Sequence, residues 1–286
     1  MPIYDTFKHL CRSLFKSGDD VFGMITGYFD ESGTDKSKQV IGVGGYFGSC
    51  SQWETFNVKW REMLQKFGLD EYHRTDIESR HLHVPGWTTD DRTRVVRHAQ
   101  KIIKDCTYIG IANAVIKADF EELFPPILKK FYGGPYGYCA FLCVVRAKSW
   151  HDGIKNKDPF DWIFEGGADG AEEFNTLMKA LYNDPVLRRD YRVAGWGFRG
   201  KELLPLAAAD TIAYEVLKFV QGQFIENRGK PRLSWKDLVR EKDHEYLEFW
   251  PRERLQEYIE SDGVSTLAET LKDHRFLDYL VKRKDG

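Results

Sequence analysis

A chain of 286 residues with 42% hydrophobic and 14% aromatic residues can bury a large core, and it suits one elaborated domain or one domain with an appendage. Its formal net charge of −2 at pH 7 argues against a protein that coats nucleic acid non-specifically, but it is compatible with an enzyme that has a local nucleic-acid groove. The sequence shows no apolar run long enough for a membrane span, no signal-peptide pattern and no paired cysteine spacing, so we expect a cytoplasmic protein without a disulfide framework or a zinc site.

The first part of the chain alternates between strand and helix patterns. β-Branched and aromatic runs predict strands at 24–30, 39–47 and 107–116, and a long polar loop joins the first two. A capping box formed by Ser51 and Glu54 predicts the start of a helix of about four turns. A second helix, at about 90–104, carries an arginine-rich face opposite an apolar one. We therefore expect a sheet with helices packed against it.

The second part repeats the alternation. The stretch 136–150 is so apolar that its helix should pack deep against the sheet, and 160–167 and 191–198 read as further strands. We expect Asp169 to cap a helix between these two strands, with Glu172 at the capping-box position. A last apolar helix, 204–221, opens with Pro205 in its first turn.

The composition changes near Arg228. From there on, Lys and Arg are as numerous as Asp and Glu, which is typical of a solvated helical region and not of a basic nucleic-acid tail. We predict two domains, 20–225 and a C-terminal helical appendage at 226–286. The appendage carries large aromatic residues that must pack on something, so we expect it to cover a sheet edge or to form a homodimer contact: Trp235, Phe249, Trp250 and Phe276.

Three acidic residues stand where burial is expected. Asp30 closes the first strand, Glu165 closes the fourth, and Asp210 lies on the apolar face of the last long helix. Burial of an ionised carboxylate costs several kcal/mol unless a cation or hydrogen-bond donors compensate for it. Three such acids around one sheet predict a shared divalent cation, and an all-oxygen ligand set favours Mg²⁺ or Mn²⁺ over zinc.

A resemblance to a known family supports this hypothesis. Asp30-Glu31-Ser32-Gly33 after a strand, "GVGG" in the next strand, "YHRTD" at 72–76, Glu165 and "LPLAAADTIAY" at 204–214 resemble a family of uncharacterised bacterial and phage proteins that open with a D-E-S-G motif. The resemblance covers roughly 25–221 and implies an RNase H-like fold: three antiparallel strands, then alternating helices and strands, with Asp30, Glu165 and Asp210 as catalytic metal ligands. The usual glutamine of the closing motif is replaced here by Pro205 or Leu206.

Other residues near these motifs are candidates for supporting or substrate-binding roles. The strand pleat should send Glu31 to the face opposite Asp30, where a structural role is expected, although it could also support the ligands. His73 and Asp76 lie in the segment whose family counterpart also carries a histidine. Arg199 and Lys201 precede the helix of Asp210 and could meet phosphates. Ser32, within the D-E-S-G motif, completes the set.

Three functional interpretations remain open. The first is a divalent-metal-dependent nuclease or phosphodiester hydrolase acting on nucleic acid or a nucleotide, in which metal ions activate water and stabilise the leaving oxygen. The second is a non-catalytic RNase H-like binding or regulatory module, for example in phage defence or a mobile element. The third is a hydrolase that uses a carboxylate pair without a metal.

Overall fold

The computed structural model describes residues 25–78, 87–153, 158–239, 245–265 and 267. The first residues of the predicted N-terminal domain, 20–24, and Phe276 lie outside the described residues. Within these limits the chain contains one sheet and helices on both of its faces.

The sheet has six strands in the order β5-β4-β1-β2-β3-β6. β2 is antiparallel to both of its neighbours, β1 and β3. The other pairs are parallel: β4 with β1, β5 with β4, and β6 with β3. Apart from β6, this is the order and direction that the family resemblance implies for an RNase H-like core, so the predicted fold class is confirmed. The strands are β1 (Ile25–Ser32), β2 (Val40–Ser49), β3 (Ile109–Ile116), β4 (Phe160–Glu165), β5 (Val193–Arg199) and β6 (Glu245–Trp250).

The helices fill the connections between the strands. In the described part of the chain, none of them combines the length and apolarity needed to cross a membrane. In chain order they are α1 (Cys50–Phe67), α2 (Arg74–Glu78), α3 (Thr89–Cys106), α4 (Lys117–Leu123), α5 (Pro126–Tyr132), α6 (Gly134–Gly153), α7 (Ala171–Asn183), α8 (Pro185–Asp190), α9 (Pro205–Val220), α10 (Leu233–Leu238) and α11 (Arg252–Glu260); a short π-helical turn, Gln221–Ile225, follows α9.

Each face of the sheet has its own hydrophobic core. Successive strand residues point to opposite faces, so Phe29 packs with the layer of α6 and α7, whereas Tyr28 packs with the layer of α1, α3 and α9. The expectation of a deeply packed apolar helix at 136–150 is met by α6, whose middle residues are buried against β2 and β3. Asp30 follows Tyr28 by two positions and therefore faces the α9 layer.

Two glycines of β2 allow α9 to lie unusually close to the sheet. A Cβ atom on Gly42 would meet Val216 Cγ1 at 2.8 Å, and one on Gly44 would meet Ile212 Cγ2 at 3.0 Å. The "GVGG" run therefore has a packing reason: a side chain at either position would push α9 outward. This close contact brings Asp210, in the same helix, to the sheet.

Two helix starts differ from the sequence expectation. The capping box of α1 is formed by Ser49 and Gln52, not by Ser51 and Glu54: the Ser49 hydroxyl accepts from the Gln52 backbone N–H, and the Gln52 side chain accepts from the Ser49 N–H. The N-cap of α7 is Gly170, with no side-chain hydrogen bond, and not Asp169. At α1 two nearby serines satisfy the local pattern, and the end of β2 selects the first of them; at α7 the backbone of Gly170, with φ of 91°, begins the helix one residue later than expected.

The C-terminal region contributes a strand as well as helices. β6 pairs along β3 and covers that edge of the sheet, and the indole N–H of Trp250 donates to Asn113 Oδ1 at 3.3 Å. The rings of Trp235 and Phe219 stack with centroids 4.1 Å apart, which joins α10 to α9. The sequence predicted only helices in this region and did not indicate β6, because its pairing partner, β3, lies far away in the sequence.

Removal of the C-terminal region should open the β3 edge. We expect a chain that ends at Gly229 to melt at a lower temperature and to self-associate, because it loses β6 and leaves unpaired backbone groups on β3. A chain that ends at Leu267 keeps β6 and is the matched control. Thermal melts and size-exclusion chromatography measure both effects; an unchanged melting temperature and a monodisperse peak for the shorter chain would instead support an independent appendage at 226–286.

Candidate active site

The fold brings the three predicted acids together. Asp30 lies at the end of β1 and Glu165 ends the neighbouring parallel strand β4, where Phe29 and Phe164 are register partners. Asp210 approaches from α9. The residues Asp30 and Glu165 are almost fully buried, with 6% and 8% of their surface exposed. Carboxylates of two adjacent parallel strands and of the helix packed on them therefore share one end of the sheet.

The charges of these acids strongly influence one another. Burial raises the pKa of Asp30 well above its usual value, and the negative charges of Asp210, Glu31 and Glu165 raise it further. A side-chain hydrogen bond between Asp30 and Glu165 acts in the same direction. These shifts show that the carboxyl groups have too few positively charged neighbours. The site is therefore stabilised when it binds a proton or a cation.

Asp210 is held by the backbone of another element. The N–H of Arg74, at the start of α2, donates to Asp210 Oδ2 at 2.6 Å. Burial raises the pKa of Asp210, whereas this hydrogen bond and the nearby His73 and Lys201 lower it and Glu165 raises it. The carboxylate is thus fixed in direction through one oxygen before any ligand arrives.

Glu31 joins the acids, although the pleat was expected to separate it from them. Burial and the charge of Glu165 raise the pKa of Glu31 to about 7, against opposing contributions from its hydrogen bonds and from Lys201. Its Oε2 atom is buried and has no hydrogen-bond partner among the described residues. The pleat does place Glu31 on the α6 face, where burial and the charge of Glu31 raise the pKa of Tyr136, but its carboxylate is still close enough to act on Asp30 and Glu165.

One lysine faces these four carboxylates. Lys201 Nζ lies 3.3 Å from Glu165 Oε1, while its side chain remains 57% exposed. Burial disfavours its charged form, but the charges of Glu165, Asp30 and Asp210 outweigh this effect and raise the pKa of Lys201. Of the two basic residues predicted near Asp210, Lys201 therefore reaches the acids.

The remaining predicted residues lie at different distances from this centre. His73 is close enough to act on Asp210 and also lies 3.5 Å from Glu71 Oε2. The Arg199 guanidinium donates to the Phe198 carbonyl, along β5 and not toward the acids. Asp76 is on the exposed side of α2. Ser32 ends β1, opposite Gly42.

A buried ion pair behind Asp210 was missed by the sequence reasoning. The Arg74 guanidinium is 1% exposed and donates to Glu215 Oε1 through Nε at 3.1 Å and Nη2 at 2.6 Å. Glu215 is fully buried, and its other oxygen accepts from the Ser234 hydroxyl at 3.0 Å. Arg74 also donates to Glu78 Oε2 at 2.9 Å. The available signal was a glutamate inside the apolar stretch of α9, which requires a buried cation.

The donor set fits a hard divalent cation in its chemistry. It consists of carboxylate oxygens, includes an unpartnered buried oxygen on Glu31, and has more negative charges than Lys201 can balance. Within residues 25–78, 87–153, 158–239, 245–265 and 267, however, no group of three or more His, Cys, Asp or Glu side chains is arranged to hold a metal ion as it stands. Coordination would require the side chains, Lys201 included, to reorient.

Comparisons with known proteins give limited results. No protein-family model and no curated protein matches the chain. Among solved structures, the crystal structure of Bst-RNase HIII in complex with Mn²⁺ is similar, with 11% sequence identity and a TM-score of 0.39; the match covers 93% of this chain and 81% of that one. A likeness of this size does not bear on the site, so the fold is assigned from the order and direction of the strands.

The charge on Glu31 should make stability depend on pH. Because its folded-state pKa of about 7 lies above the ordinary 4.5, its ionisation destabilises the fold fully above pH 7, and this cost disappears below pH 4.5. Glu31→Gln should therefore be more stable than wild type at pH 8, by about 1–3 kcal/mol, and similar to it at pH 4. Urea titrations at both pH values measure this, with Glu62→Gln on α1 as the control. Lower stability of Glu31→Gln at pH 8 would mean that Lys201 already compensates Glu31.

The Arg74–Glu215 pair should be far more important to stability than the Arg74–Glu78 pair. Glu215→Gln leaves a buried guanidinium without its main counter-charge, which costs about 3–5 kcal/mol. Glu78 is 44% exposed, so Glu78→Gln should cost less than about 1 kcal/mol. Denaturant unfolding of both variants tests the difference. Equal losses would show that solvent reaches Glu215.

Proposed function

We propose that this protein is a divalent-metal-dependent phosphodiester hydrolase, a nuclease of the RNase H-like type, with Asp30, Glu165 and Asp210 as ligands of Mg²⁺ or Mn²⁺. The observation that carries the proposal is the convergence of these three carboxylates, with Glu31 beside them and with Lys201 in contact with Glu165. Such an arrangement opposes folding unless a cation or protons offset the repulsion, and proteins keep arrangements of this kind mainly for function.

Each residue of the candidate site has a separate role in this proposal. Bound divalent ions supply activation of water and stabilisation of the leaving oxygen. Asp30 and Glu165 present oxygens from two neighbouring strands, so the sheet fixes their separation. The Arg74 N–H holds Asp210 Oδ2, which leaves Oδ1 to serve as the ligand. His73 stands next to Asp210, where it can contact a substrate phosphate or a departing group.

Lys201 has a separate role in the proposal. In the metal-free protein its ammonium group neutralises part of the negative charge through Glu165. If the carboxylates held a divalent ion, the flexible, half-exposed Lys201 side chain would be free to leave Glu165 and contact a phosphate of the substrate. The substrate is therefore a nucleic acid or a nucleotide, bound at the end of β1 and β4.

The proposed domain division places all three ligands in 20–225. The region 226–286 supports the site indirectly, since Ser234 contacts Glu215 behind Arg74. Membership of the D-E-S-G family, a cytoplasmic location and a homodimer formed through 226–286 belong to the same proposal. A non-catalytic module is the second candidate, and the observation that favours it is that the described side chains would have to reorient before they could hold a metal.

Metal binding is the direct test. We expect Mn²⁺ to give binding heat with wild type and little with Asp30→Asn or Asp210→Asn, whereas Asp105→Asn, an exposed change on α3, should behave as wild type. In EDTA at pH 7, Asp210→Asn should be more stable than wild type by about 1 kcal/mol, because it removes one repelling charge. Mn²⁺ should then stabilise wild type but not the variant.

Activity separates the candidate functions. Cleavage of labelled DNA or RNA oligonucleotides should stop in EDTA and return with Mn²⁺. Cleavage that continues under chelation would favour the metal-free carboxylate pair, and metal binding without any cleavage would favour the non-catalytic module. Equal Mn²⁺ affinity of wild type and Asp30→Asn would remove Asp30 from the site.

A further inference from the structure

A second site lies on the other side of α2, away from the carboxylates. A cavity of about 350 Å³ opens between α2, the first turns of α3, and α10. Its apolar side is formed by the buried Ile77 and Val96. Its polar side is dominated by four arginines, which come from α2, from α3 and from the residue just before α10: Arg74, Arg92, Arg97 and Arg232.

The carboxylates near the cavity do not neutralise all of these arginines. Two acids line it: Glu78, which Arg74 and Arg232 share, and Asp237, whose Oδ2 lies 3.0 Å from Arg97 Nε. Arg74 has a further partner, Glu215, behind the cavity wall. Among the described residues, these three carboxylates therefore leave one of the four arginines without an acidic partner.

Arg92 is the arginine without a counter-charge. No carboxylate of the described residues pairs with it, and its Nε–H is buried without a hydrogen-bond partner there. The Arg92 residue as a whole is half-buried and lines the cavity, so its terminal nitrogens are the atoms that a ligand can reach, and a charged donor without a carboxylate partner gains more from a ligand than an exposed arginine does. Thr89 and Ser234 also line the cavity, and the Ser234 hydroxyl donates to Glu215 behind the wall.

We propose that this cavity binds a phosphate group, with Arg92 as its principal donor and Arg97 and Arg232 as further contacts. Guanidinium groups match phosphate oxygens because their planar forks donate two parallel hydrogen bonds. The apolar side strengthens each charge interaction by excluding water. The volume accommodates a phosphate or pyrophosphate and leaves room for the atoms to which it is attached.

The observations that support this phosphate site do not depend on the proposed metal site, although the two sites are adjacent in the structure. Arg74 contributes its guanidinium to the cavity and its backbone N–H to Asp210. A phosphate in the cavity would thus contact the same short helix that orients the candidate ligand. The phosphate belongs either to a nucleic-acid strand that also reaches the carboxylates or to a free nucleotide or phosphate, and the chemistry of recognition is the same in both.

Calorimetry on the full chain without added metal tests the site. The probes are inorganic phosphate, pyrophosphate, and an oligonucleotide with and without a 5′-phosphate. We expect a phosphate probe to bind wild type and to bind Arg92→Gln at least about tenfold more weakly, the effect of one lost charge-assisted contact. Arg94→Gln is the matched control, because Arg94 lies on the same helix, is 69% exposed and pairs with Asp91; it should keep wild-type affinity.

The outcomes separate the two sources and the two proposals. Arg92-dependent binding of pyrophosphate indicates a free nucleotide or phosphate, and Arg92-dependent binding of the 5′-phosphorylated strand alone indicates a strand. Arg92→Lys, which keeps the charge, should bind better than Arg92→Gln and guards against a folding defect. Equal affinity of wild type and Arg92→Gln, or no binding of any probe to wild type, overturns the proposal. Asp30→Asn should retain phosphate binding even if the metal site fails.

Discussion

The close contact between α9 and the central strands is the constraint on which the rest of the structure depends. Gly42 and Gly44 remove the side chains that would otherwise keep this helix at an ordinary distance from β2. Because α9 lies so close, Asp210 reaches the ends of β1 and β4, where Asp30 and Glu165 already stand. The packing of α9 in the hydrophobic core therefore also positions Asp210 in the candidate site, and a change that moves α9 must alter both.

The buried ion pair between Arg74 and Glu215 connects α9 to α2 and, through Ser234, to α10. Glu215 lies within the apolar helix and is satisfied by Arg74 from α2 and by Ser234 from α10. A buried pair of this kind is weak support for stability compared with an apolar pair. Its contacts hold α2 in one place against α9. That placement puts the Arg74 N–H on Asp210. The arrangement of the ligand thus depends on elements that lie before α3 and after α9 in the sequence.

The acids at the sheet end show how function and stability oppose each other. Burial and mutual repulsion raise the pKa values of Asp30, Glu31 and Asp210, and Lys201 compensates only in part. On the other side of α2, arginines predominate and Arg92 has no acidic partner among the described residues. Carboxylates and arginines thus lie on opposite sides of one short helix, α2.

Local sequence patterns determined the order of the main helices and strands and the three acids that needed an explanation. Strand and helix periodicities act over a few residues, so 107–116 and 204–221 could be located closely, and Asp30, Glu165 and Asp210 stood out as charges at buried positions. The pattern did not determine which residue caps each helix, because neighbours such as Ser49 and Ser51 can both accept a hydrogen bond from the first turn.

Only the tertiary structure decided which distant residues meet. β6 could not be recognised because its pairing energy comes from β3, more than a hundred residues away, and the charge-balanced region around it favours a solvated helix. The Arg74–Glu215 pair and the approach of Glu31 to Glu165 were hidden for the same reason: electrostatic and packing energies depend on distance in space, and a sequence pattern records only distance along the chain.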